Sequence, residues 1–221
     1  MTRLEQQRNA GSAFQRLRRF AHKPEPILER CHLCNVGLAP SHPHLLESGC
    51  RHLVCACEGC ATLFTGRSDV KFQRVPHRIR QLSRFQIADA EWNALMIPIN
   101  LAFFVRDSHD LQVHALYPSP AGATESLLTF DAWDGVSASD EAIREMETDV
   151  EALLVNRVGY ARQSSPAEYY IVPIDVCYQL VGLIRIHWKG LSGGTEVWRE
   201  IATFFAGLRA KAEIPSETFY A

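Results

Sequence analysis

Two C-x-x-C pairs, Cys31/Cys34 and Cys57/Cys60, stand within the first third of the 221-residue chain. No other feature restricts the fold as much. Two such pairs can close a tetrahedral S4 shell, and thiolate is a soft ligand that Zn²⁺ accepts well. Six of the seven cysteines crowd between Cys31 and Cys60, and Cys177 stands alone. A disulfide scaffold spreads paired cysteines along a secreted chain, whereas a tight cluster reads as metal ligands in a reducing compartment. The first residues carry no apolar stretch of the kind that opens a secretory signal, so the expected compartment is the cytoplasm.

The text around the pairs refines this. "CHLCNVG" reads as a knuckle, with Gly37 supplying the tight turn. "HPHLLES" and "RHLVCAC" alternate like two strands around an "SGC" turn, and "CEGCATLF" opens a helix. Knuckle, hairpin and helix in that order predict a treble-clef zinc finger. A second C-x-x-C at a helix start also suits thiolate, because free N–H groups and the positive dipole end stabilise the sulfur. Leu63 and Phe64 are expected to pack that helix.

Cys55 lies two residues before Cys57 and can substitute for it if the strand runs longer, so the third ligand stays open between them. Cys50 falls in the turn. His42 and His44 lie close by, but four cysteines already suffice, so both read as strand or surface histidines. A single iron on the same four sulfurs, as in a rubredoxin, is the alternative occupant. Rubredoxin knuckles come as a similar pair, and here the second pair enters a helix, which favours zinc. A closed S4 shell leaves no open position, so a structural role is expected and Lewis-acid catalysis is not.

Three segments differ in texture. Residues 1–26 form a basic arm, residues 27–66 hold the metal-binding cluster, and residues 67–221 carry regular apolar patterning. The larger segment predicts an α+β domain with an antiparallel sheet covered by helices. Leu101–Val105 and Leu111–Leu116 read as a hairpin, and "TESLLTF" as a third strand. Pro118 and Pro120 place "YPSPAGATES" in a loop. "DEAIREMETDVEALLVNR" reads as one helix with Ile143, Met146, Val150, Leu153 and Leu154 on a face. "YYIVP" is a strand. "IDVCYQLVGLIRIHW" is a central helix capped by Asp175, and Thr195 and Asp89 cap two others. Cys177 reads as a plain buried residue.

Composition excludes some functions. With 47% hydrophobic and 22% charged residues and a formal net charge of -2, the chain has no global attraction for nucleic acid or anionic membrane. Nucleic-acid binding through the finger and basic arm is therefore a lesser reading, and no apolar run is long enough to span a bilayer. The sequence holds no P-loop, Rossmann fingerprint, G-x-S-x-G or H-E-x-x-H, so an enzyme is not expected. Tyr117, Glu125, Asn156 and Arg157 are polar residues near apolar stretches that can converge on a pocket, or serve simply as caps and ion pairs.

Five stretches together carry a resemblance: "CHLCNVGLAPSHPHLLE", "LVCACEGCATLF", "ALYPSPAGATESLL", "DVEALLVNR" and "YYIVPIDVCYQLVGLIRIHWKGLSGGTEVWREI". In these the chain resembles a bacterial family encoded beside NiFe hydrogenases, notably the high-affinity actinobacterial type. The resemblance runs from about Cys31 to Leu208. It implies an accessory, assembly or electron-transfer role, with hydrogenase subunits or maturation proteins as partners, and it implies no mechanism.

Overall fold

The computed structural model describes residues 29–65, 71–126, 133 and 140–212. The expected basic arm, the end of the "TESLLTF" strand and the last residues lie outside them. The fold is α+β and contains two antiparallel sheets.

The first sheet is small. Strands β1 (His44–Glu47) and β2 (His52–Cys55) form the expected hairpin, with His44 opposite Cys55 and Glu47 opposite His52. Gly49, at φ 85°, and Arg51, at φ 50°, turn the chain between them. Helix α1 (Glu58–Phe64) follows at once. Strand β3 (Phe72–Arg74) pairs with the other edge of β1, so this sheet draws on residues beyond 66.

Helix α1 does not pack through its last residues as expected. Leu63 is 68% exposed and Phe64 42%, with Phe64 edge-on to Phe72, while Cys60 and Ala61 face inward. The knuckle also differs in one detail. The left-handed residue is Asn35, at φ 64°, and not Gly37. Asn tolerates that conformation because its short polar side chain adds little steric cost.

The second sheet has six strands: β4 (Arg80–Gln81), β5 (Leu101–Arg106), β6 (Val113–Ser119), β7 (Gly122–Glu125), β8 (Glu151–Asn156) and β9 (Glu168–Pro173). Their order is β4-β9-β8-β5-β6-β7. Among the described residues α1 is followed by α2 (Asp89–Ala94), α3 (Glu141–Arg144), α4 (Val158–Ala161), α5 (Ile174–His187) and α6 (Gly194–Lys211). One sheet face, with Phe103, Leu154 and Tyr170, is covered by α5 and α6 through Leu180, Ile184, Ile201 and Phe205. The other face, with Phe104, Leu153 and Ile171, is covered by Phe85, Trp92, Trp133 and Ile143.

Burial on both faces explains the main departure from expectation. The segment read as one helix stops at Arg144, and "EALLVN" is the strand β8 at the heart of the sheet. Leu153 and Leu154 point to opposite faces rather than sharing one. A strand buried on both sides is a continuous apolar run, which periodicity cannot separate from a buried helix. Asp149, at φ 68°, breaks the chain ahead of it, and its Oδ1 accepts from Ser108 N–H at 2.9 Å.

Smaller differences concern caps and a proline. Helix α5 begins at Ile174, so Asp175 lies in its first turn. Gly193 precedes α6 in place of a Thr195 cap, and Asp89 is the first residue of α2, after Ala88. Pro118 stays within β6, where its strand partner is Ala123 of β7 and the pairing with β5 has already ended. No ladder hydrogen bond is lost there.

The two sheets are joined. Leu46 and Val75 of the first unit sit in the core beneath α5. His44 Nδ1 and Asp175 Oδ2 are 2.7 Å apart, and Arg51 Nη2 donates to Asp107 Oδ2 at 2.7 Å. Among the described residues, no helix is long and apolar enough to cross a membrane.

Candidate metal centre

Cys31, Cys34, Cys57 and Cys60 converge. Their Sγ atoms all lie within 4.8 Å of one another. Each is placed by a short-range device. Asn35 N–H donates to Cys31 O at 2.8 Å and Cys31 N–H to Val36 O at 2.9 Å, which folds the first pair into a knuckle. Cys57 caps α1, and its Sγ accepts from Cys60 N–H at 3.4 Å. Cys31 and Cys60 are buried, while Cys34 is exposed.

The distances fit one ion. Zinc–sulfur bonds of about 2.3 Å at tetrahedral angles separate the sulfurs by about 3.8 Å. Cys34 Sγ and Cys57 Sγ stand 3.7 Å apart. A polynuclear cluster, in which different irons take different cysteines, spreads its sulfurs farther. The four cysteines can therefore hold a single metal ion.

Electrostatics agree. Burial pushes the Cys31 thiol up, but N–H groups of Cys57, Cys34 and Leu33 directed at it outweigh burial and bring it down to about 6. Burial and its three sulfur neighbours push Cys60 up to about 12. The first thiolate forms readily and the last resists, because each new charge crowds the same small space. A central cation removes that conflict.

Roles differ between Cys55, the last residue of β2, and Cys57, the residue before α1. Cys55 does not join the four sulfurs, and Cys57 does. Cys50 lies in the exposed turn, 3.8 Å from Glu47 O. Cys177 is fully buried in α5, and burial raises its thiol well above the usual value.

The four-residue pocket does not assemble. Arg157 is buried, pairs with Asp89, and lies 5.2 Å from the Trp92 ring centroid and 4.7 Å from that of Tyr160. It lines a cavity of about 750 Å³ with Asn93 and Asn100. Tyr117, Glu125 and Asn156 do not line that cavity. Asn156 Nδ2 donates to Glu168 at 2.9 Å, and Glu125 binds His114 at the far edge of the sheet. The strand order separates them, because β5 lies between β8 and β6.

Sequence reasoning missed Asp89, Trp92 and Tyr160 as the partners of Arg157. Glu151 is a polar residue within an apolar stretch, but its partners were missed: the carboxylate is fully buried, held by Arg78 and Arg80 at 3.3 Å and by Glu147 N–H at 2.9 Å. The alternation of charge in "HRIRQ" was the available signal for the second set.

Fold and site define a class: a protein with a four-cysteine centre able to hold a metal ion, built against a six-stranded α+β sheet. The chain belongs to DUF5947, a family of unknown function, which matches residues 30–212. No curated protein and no solved structure matches it.

Proposed function

We propose that the protein is a non-catalytic accessory or interaction component of a NiFe hydrogenase system, carrying a structural Zn(Cys)4 site in a treble-clef unit. The convergence of Cys31, Cys34, Cys57 and Cys60 within 4.8 Å is the observation that carries the zinc site. The order of knuckle, β1–β2 hairpin and α1 supports the treble clef. Four thiolates close the shell, so the ion's task is to hold the unit together. Seven free cysteines among the described residues suit a reducing cytoplasm.

The hydrogenase setting rests on the sequence resemblance alone. Native copurification with hydrogenase subunits or maturation proteins tests it, and repeated absence of such partners contradicts it. Single iron on the same sulfurs is the second reading, favoured by the fit of a mononuclear tetrathiolate to either metal. It requires a coloured protein with a reversible redox wave. A colourless protein with stoichiometric zinc eliminates it.

A further inference from the structure

The strands that position the four-cysteine centre also build a second set of metal donors. His42 and His44 are two residues apart, so an extended chain turns both rings to one side. His44 pairs directly with Cys55 across the β1–β2 ladder, and directly opposed residues share a face. The result is one ring nitrogen of each histidine and the Cys55 sulfur within 4.8 Å of one another. The two rings meet edge-on, with centroids 4.9 Å apart.

The outer groups are those that metal-bound histidines use. His42 Nδ1 lies 2.8 Å from Ala39 O, and His44 Nδ1 lies 2.7 Å from Asp175 Oδ2. A backbone carbonyl and a carboxylate on Nδ1 fix the ring orientation and leave Nε2 as the lone-pair donor. These contacts leave His42 Nε2 buried with no hydrogen-bond partner among the described residues, on a side chain only 5% exposed. A buried ring nitrogen left unpaired is costly unless something satisfies it. Glu29 Oε2 lies 3.5 Å from it, beyond hydrogen-bonding geometry.

We propose that His42, His44 and Cys55 bind a second divalent transition-metal ion of the zinc class, with water in the fourth position beside Glu29. Imidazole and thiolate are zinc-type ligands, and three protein donors with one open position distinguish this site from the closed tetrathiolate. It goes beyond the structural reading of the neighbouring centre and stands or falls independently of it.

Cobalt(II) titration of the full chain, stripped of metal and kept anaerobic, tests the proposal. Two equivalents should survive gel filtration. One should show strong sulfur-to-cobalt charge transfer from four thiolates. The other should add the weaker charge transfer of a single thiolate, with shifted d–d bands. H42Q combined with C55S should lower the stoichiometry from two to one and erase the one-thiolate spectrum. The proposal is overturned by a wild-type chain that binds a single equivalent with the four-thiolate spectrum only. It is equally overturned by a second equivalent with no one-thiolate spectrum, or by two equivalents retained in the double variant. Should the double variant lose both ions through misfolding, the wild-type spectra alone decide. Failure of the tetrathiolate reading looks different: the four-thiolate spectrum is missing while the one-thiolate spectrum persists.

Discussion

The two sheets are held together by different physics. The six-stranded sheet is apolar on both faces, with Phe103, Leu154 and Tyr170 on one side and Phe104, Leu153 and Ile171 on the other. Its stability follows from buried area, at roughly 25 cal/mol per Å² removed from water. The cysteine unit has few such residues. Its own buried cluster consists of Leu38, Leu45, Val54, Ala56 and Ala61 beside Cys31 and Cys60. So small a core does not usually suffice alone, and metal ligation is a usual remedy. With the proposed ion in place, the chain would divide its stability between hydrophobic burial and coordination. The division predicts which perturbation each part should feel.

The strongest way to break the comparison is to remove a sulfur. Cys60→Ser should abolish ion binding at the tetrathiolate and expose the amides of residues 31–64 to hydrogen exchange. Amides of β5, β8 and β9 should stay protected. Structural zinc contributes on the order of 10 kcal/mol to the folding of small zinc peptides, so the effect should be all-or-none. Loss of protection throughout the chain would show that the large sheet also depends on the centre.

A smaller effect should come from the opposite side. Phe103→Ala deletes a fully buried ring beneath α5 and should cost about 3–5 kcal/mol. Chemical denaturation should show the large sheet weakened, and metal content should be unchanged. Loss of metal in this variant would mean that the cysteine unit has no stability of its own.

The contact between the units ranks third. Arg51→Ala removes the hydrogen bonds to Asp107 at 3.2 and 2.7 Å. This partly buried pair should contribute about 1 kcal/mol. The variant should loosen the β1–β2 turn in hydrogen exchange while both units remain folded. An unchanged exchange rate at the turn would leave Leu46 and Val75 as the effective link.

The smallest effect is pH-dependent and centres on the large sheet. Burial opposes the charge on His114, but hydrogen bonds to Glu125 and Asp110 outweigh it and raise its pKa. A raised histidine stabilises the fold fully below its unfolded value of about 6.5, and that contribution disappears as pH rises through the folded value. The stability difference between wild type and His114→Gln should therefore be larger at acid pH than at alkaline pH. Because Glu125 and Asp110 are largely exposed, it should stay below about 1 kcal/mol. A difference independent of pH would contradict this.

The same division governs what could be read from the sequence. The four-cysteine cluster was legible because its sulfurs come in two local pairs, each set by a turn of a few residues. The hairpin around Gly49 was legible because strand alternation and a turn signal coincide there. Strand β8 was not, because burial on both faces erases alternation and "EALLV" suits a helix equally well. The pocket joining Tyr117, Glu125, Asn156 and Arg157 failed for a different reason. It needed the strand order, and strand order is a long-range property. His42, His44 and Cys55 fall between these cases. Their proximity was visible, but their convergence depends on the register that sets His44 opposite Cys55.

X-ray absorption at the metal edge tests the central claim most directly. It is best made on the H42Q/C55S double variant, where any second ion is removed. The account predicts a zinc edge and a single shell of four sulfur atoms at about 2.3 Å. An iron edge, or a shell mixing sulfur with nitrogen or oxygen, would contradict it.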